Sequence, residues 1–99
     1  MRTEELNKDL SHLLKDKIKR ILLDNSGGVK ESVMITELVS TYYTDYEHLI
    51  MIQEYLEFVE FCYEEMKESG ELDILVYIYP LSETYNRKKR FIYIPAFES

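Results

Sequence analysis

Residues 45–69, DYEHLIMIQEYLEFVEFCYEEMKES, decide the fold. Leu49, Ile52, Leu56, Val59, Tyr63 and Met66 recur at alternating three- and four-residue steps, the spacing that aligns one face of an α-helix. At about 100° per residue, Met51, Tyr55, Phe58 and Cys62 fall beside that row and widen the apolar face. The opposite side carries Glu47, Gln53, Glu54, Glu57, Glu60, Glu64, Glu65, Lys67 and Glu68. The pattern predicts one amphipathic helix from Asp45 to Ser69, with core on one side and acid on the other. Thr44 or Asp45 is placed to cap its start, and Gly70 is a natural residue just past its end. At 1.5 Å per residue such a helix is about 37 Å long, whereas a compact chain of this size has a radius of gyration of about 13 Å. It would span the domain or overhang it.

Upstream, Glu4 to Asp24 reads as a first helix with Leu6, Leu10, Leu13, Leu14, Ile18, Ile21 and Leu22 on one broad face and Lys17 snorkelling at its edge. Asn25-Ser-Gly-Gly stops it, because Asn and Gly tolerate the left-handed conformation of helix ends. The glycine pair matches neither phosphate-loop pattern and reads as a turn. Ser32 can cap a short helix running to about Tyr43; alternatively, Val33 to Ile35 is a brief extended segment and Thr36 opens the helix.

Downstream of Gly70 the pattern changes. ELDILVYIYP is rich in β-branched and aromatic residues and predicts a strand, with Ile74, Val76 and Ile78 on one face and Leu75, Tyr77 and Tyr79 on the other. A second strand is expected over Arg90 to Ala96, with Ile92 and Ile94 opposite Phe91 and Tyr93. The polar stretch between them would form a hairpin loop tipped with Arg87, Lys88, Lys89 and Arg90, while Pro80 and Pro95 mark strand ends. The aliphatic face should cover the helices. A hairpin alone leaves two unpaired edges, so either residues 29–35 supply a third strand or another subunit covers an edge.

The chain of 99 residues is expected to form a single domain, 1–99, and its 45% hydrophobic content argues for a folded protein. Cys62 is the lone cysteine, which excludes an intrachain disulfide and a CxxC site, and its place on the apolar face makes it a core thiol. The longest apolar run, Ile74 to Leu81, is too short to span a bilayer, and residues 1–16 lack a signal-peptide pattern, so an intracellular protein is expected. Net charge is −7 and unevenly spread: residues 31–74 hold twelve acidic groups and one basic, flanked by mildly basic ends.

Glu57, Glu60, Glu64 and Glu68 approach one another at helical spacing, yet no ExxH accompanies them, and His12 and His48 stand apart in sequence. The acidic side therefore reads as a solvated face, with no catalytic residue, metal ligand or cofactor assigned. Like charges four residues apart repel, and acid relieves that repulsion. Tolerance of acid follows, unless Lys15, Arg20 or the hairpin basics pair with these carboxylates and reverse the sign. Tyr46, Ile50 and Phe61 lie among the polar residues of the long helix; together with Tyr77, Tyr79 and Tyr93 they form a candidate partner surface, with a homodimer as the expected partner.

A winged-helix DNA binder is the alternative. Helix, short strand, two helices, strand, basic loop and strand match its order, with residues 82–90 as the wing and Arg87, Lys88, Lys89 and Arg90 as the nucleic-acid contacts. Seven glutamates on the helix that would read DNA oppose it.

The segment LIMIQEYLEFVEFCYEEMKESGELDILVYIYP and the Tyr/Ile/Glu/Lys bias resemble the small orphan proteins of filamentous viruses infecting hyperthermophilic, acidophilic archaea. The resemblance implies a compact, heat- and acid-resistant α+β protein acting in infected cells, and carries over no functional residue. The expected architecture is two long helices and one short helix packed on a C-terminal β-hairpin, in a non-enzymatic accessory or interaction protein.

Overall fold

A computed structural model describes residues 3–80 and 86–95, with side chains for residues 8–78 and 88–95. The elements follow in the order α1 (Thr3–Asp24), β1 (Gly28–Lys30), α2 (Glu31–Thr41), a π-helical turn (Tyr42–Tyr46), α3 (Ile52–Glu68), β2 (Asp73–Pro80) and β3 (Asn86–Tyr93). The strands form one antiparallel sheet of order β1-β3-β2, and the fold is α+β.

Helix α1 buries Leu10, Leu14, Ile18, Ile21 and Leu22. Leu13, expected on the same face, is half exposed, and the side chain of Leu6 lies outside the described residues. The Asn25 side-chain amide donates to the Ile21 carbonyl at 2.7 Å, and Gly27 N–H donates to the Leu22 carbonyl at 2.7 Å. Ser26 and Gly27 take positive φ, 60° and 91°, which swings the chain directly into β1. Val29 of β1 pairs with Ile92 of β3, and both are buried. The third strand thus comes from residues 28–30. Helix α2 begins at Glu31, so Val33 to Ile35 are helical and Ser32 lies inside the helix rather than capping it.

The predicted single helix from Asp45 to Ser69 is broken. Helix α2 widens into the π-turn, the chain turns through residues 47–50, and Met51 is extended (φ −75°, ψ 149°) at the start of α3. A tyrosine cluster is the physical reason. The Tyr46 and Tyr55 rings lie 5.8 Å apart, whereas nine residues of straight helix would separate them by about 13.5 Å along the axis. Tyr42 packs 5.0 Å from Tyr55, and its hydroxyl donates to the Ile50 carbonyl at 2.8 Å. The Tyr55 hydroxyl donates to the Leu38 carbonyl at 2.7 Å, tying α3 back onto α2. Leu49 and Met51, expected in the core, are therefore exposed.

Helix α3 ends as expected at Gly70. Glu71 N–H reaches the Met66 carbonyl at 2.8 Å and Gly70 N–H the Lys67 carbonyl at 3.2 Å, the paired bonds of a Schellman motif, with Gly70 at φ 79°. The next apolar residue, Leu72, is buried.

The helices form one layer on one face of the sheet: α2 lies against β1 and β3, α3 against β2, and α1 against β1, α2 and α3. The core between them is Leu14, Ile18, Leu22, Met34, Leu38, Val59, Met66 and Ile92 with their neighbours; fully burying one such side chain is worth about 1.5–3 kcal/mol. The radius of gyration is 14.8 Å, larger than the about 13 Å of a compact chain this size. Helix α3, at 17 residues, is shorter than the helix expected from Asp45 to Ser69.

Candidate interaction surface

The register of the hairpin sets what it exposes. Ile74 pairs with Ile92, Val76 with Arg90 and Ile78 with Lys88; directly opposed residues share a face, here the one toward the helices. Ile92 is fully buried and Ile74 packs against the core, but Val76 and Ile78 are 56% and 60% exposed. The ladder outruns the helical layer, and its far half is an arm. The other face carries Leu75 opposite Phe91, Tyr77 opposite Lys89 and Asp73 opposite Tyr93. Leu75 is 55% exposed, whereas Phe91, Tyr77 and Tyr93 are half-buried. The Phe91 and Tyr93 rings stack with centroids 6.3 Å apart, and the Tyr93 hydroxyl donates to Asp73 Oδ2 at 3.4 Å. Apolar groups thus line both faces of one arm.

The described basic residues of the expected loop tip lie on a strand rather than in a loop. Asn86 to Arg90 belong to β3, so the strand begins four residues before the expected Arg90, and residues 81–85 lie outside the described residues. Arg90 is at the root of the arm. Its guanidinium pairs with Glu31 at the start of α2 and with Glu60 on α3, where Nη1 donates to Oε2 at 3.1 Å, and it sits 5.6 Å over the Tyr63 ring. The Glu60 hydrogen bonds, more than those of Glu31, push the guanidinium further above its ordinary value, against the opposing effect of burial. Arg90 is a clamp between three elements. Lys88 is exposed on the inner face and Lys89 half-buried on the outer one. The side chains of Arg87 and Tyr79 lie outside the described residues.

Of the helix residues proposed for a partner surface, Tyr46 and Ile50 are withdrawn into the fold, half-buried against the core, because the chain turns there. Phe61 stays 52% exposed on α3. The surface residues that periodicity missed are Val76 and Ile78; the signal for them was the uncharged run ILVYIY, whose register places half of it beyond the helices.

Cys62 is fully buried, its Sγ 3.9 Å from Ser11 Oγ, and burial pushes the thiol up, with the Ser11 contact opposing. It is an inert core group. Among the described residues His12 reaches only Asp16, at 3.6 Å on the exposed side of α1. A shallow depression beside it is lined by Lys8, Asp9, Ser11, Leu13, Lys15 and Glu65, and Lys15 is taken up by Glu65 at 2.7 Å. Among the described residues no three acidic, histidine or cysteine groups gather to hold a metal ion, and no helix is long and apolar enough to cross a membrane. Comparison of the chain with protein-family models, curated proteins and solved structures finds no match.

Proposed function

We propose that this chain is a small, non-enzymatic interaction protein that self-associates, an accessory protein of a filamentous virus working inside a hot, acid-loving archaeal host. The observation that carries the reading is the arm: Leu75, Val76 and Ile78 are all more than half exposed on one strand. Exposed apolar residues gathered on both faces of one arm, Val76 and Ile78 on one and Leu75 on the other, mark a partner site more often than scattered ones do. No cofactor enters the reading. Light scattering over a range of protein concentrations tests it, with a dimer expected; a monomer at every concentration overturns it.

One observation favours a second reading, DNA binding. The order α1-β1-α2-α3-β2-β3 is the order expected of a winged helix. Two features weigh against it: α3 exposes Glu54, Glu57, Glu60, Glu64 and Glu68, and Arg90 is already neutralised by two carboxylates. Phosphate contacts supply most non-specific affinity, and an acidic reading helix repels them. A mobility shift that weakens steeply with salt and with Lys88→Ala and Lys89→Ala would establish DNA binding; the arm reading expects no shift.

A further inference from the structure

We infer that β2 is a self-pairing edge: two copies join β2 to β2, antiparallel, about a two-fold axis at Val76, forming a six-stranded sheet of order β1-β3-β2-β2-β3-β1. This rests on the self-association reading and names its contact.

The two edges of the sheet differ. β1 is three residues long and ends in the exposed Lys30. β2 is eight residues long, and its register with β3 runs without a bulge. Between Asp73 and Pro80 its sequence is ILVYIY, with no charge and no proline. Natural edges are blunted by shortness, lysines, prolines or bulges. β1 has two of these devices, and β2 has none along its middle.

The pairing matches itself. A two-fold relating antiparallel neighbours stands normal to the sheet, so each face continues into the same face of the second copy. With Val76 on the axis, Ile78 lies opposite Ile74 of the second copy and Leu75 opposite its Tyr77. The exposed Val76 and Ile78 then fall between two helical layers that flank them on the same side. Pro80, which has no N–H, stays at the end of the ladder.

Charge points to the same occupant. The antiparallel arrangement carries the far end of one arm, with the exposed Lys88 one strand in from the contact, toward the start of the other copy's β2, which follows the exposed Glu68 and Glu71. Lys88 has no carboxylate partner among the described residues, and the cation nearest Glu71, which also accepts from Ser69 Oγ at 2.8 Å, is Lys19 at 3.9 Å. An acidic body with a basic, apolar arm is complementary to a second copy of itself.

Sedimentation over a wide concentration range, with circular dichroism on every variant, tests the inference. Val76→Lys sets two ammonium groups against each other on the axis and will raise the dimer dissociation constant at least about tenfold, while Phe61→Glu leaves it unchanged. Val76→Cys will give a disulfide-linked dimer on mild oxidation, because opposed antiparallel residues bring their Cα atoms to about 4.5–5.5 Å. Wild type, with Cys62 buried, and Thr36→Cys on exposed α2 will not cross-link. The cysteine arm decides the matter even if Val76→Lys unfolds. A dimer that ignores Val76→Lys, fails to cross-link through position 76 or depends on Phe61 sinks the β2 edge and leaves self-association standing. A wild-type chain that is monomeric throughout sinks both.

Discussion

Tyr63 is fully buried, yet among the described residues its hydroxyl finds no hydrogen-bond partner. Burial holds the phenol well above its ordinary value of 10; Glu31 and Glu60 push the same way and Arg90 opposes. Tyr55 is raised for the same first reason, although its hydroxyl is satisfied by Leu38. A group whose folded value is raised contributes stability that is complete below the unfolded value and lost as pH climbs through the folded one. For these two phenols the loss begins near pH 10, at up to about 1.4 kcal/mol per pH unit each. Lys15, raised chiefly by its hydrogen bond to Glu65, acts in the same direction. Melting followed by circular dichroism from pH 8 to 12 will therefore fall steeply at the alkaline end. Tyr63→Phe removes a polar atom that pairs with nothing, so its cost at pH 7 is about zero or it gains up to about 1 kcal/mol, and its alkaline slope is shallower than wild type. A loss above about 2 kcal/mol at pH 7 would show that the hydroxyl has a partner after all.

Helix α3 is the element on which the sequence was both most and least legible. Its apolar stripe from Tyr55 to Met66, its acidic outer face and its stop at Gly70 were readable, because each depends on neighbours three or four residues away. Its start was not: no proline or glycine interrupts residues 41–51, and the break is made by Tyr42 and Tyr46 folding back on Tyr55, a contact between residues far apart along the chain. The first half of β3 was hidden for a related reason. A strand in an arm with solvent on both sides loses the alternation that marks a strand, so Asn86 to Lys89 looked like loop. The acidic face remains a testable property of the element. Glu64 is exposed, forms no ion pair among the described residues although Lys67 stands three residues on, and lies one helical turn from Glu60 and Glu68. Glu64→Gln should raise stability at pH 7 by about 0.3–0.5 kcal/mol, and the gain should vanish at about pH 2, where the carboxylates are protonated. Urea titrations at both pH values measure it; an equal gain at both would mean that helix propensity, not repulsion, is responsible.

At the scale of the whole molecule, charge lies outside and the interior is neutral. Among the described residues no charged side chain is fully buried, and both histidines are exposed. The usual drivers of acid unfolding, buried carboxylates that must protonate and buried neutral histidines that must charge, are thus missing from the described core. What acid can remove is the pairing between elements: Lys15 with Glu65 across α1 and α3, Lys19 with Glu71, and Arg90 with Glu31 and Glu60. Exposed pairs are worth about 0–1 kcal/mol each, and acid also relieves the mutual repulsion of a chain carrying −7 at neutral pH. These opposing effects are similar in size, so the apolar core decides. Circular dichroism should therefore keep its helical signal down to about pH 2, with the melting midpoint lowered but unfolding still cooperative. Arg90→Met, which removes the clamp while keeping its apolar stem, should cost about 1 kcal/mol at pH 7 and lose less than wild type on acidification. Unfolding of the wild type above about pH 4 would instead mean that the ion pairs outweigh the core.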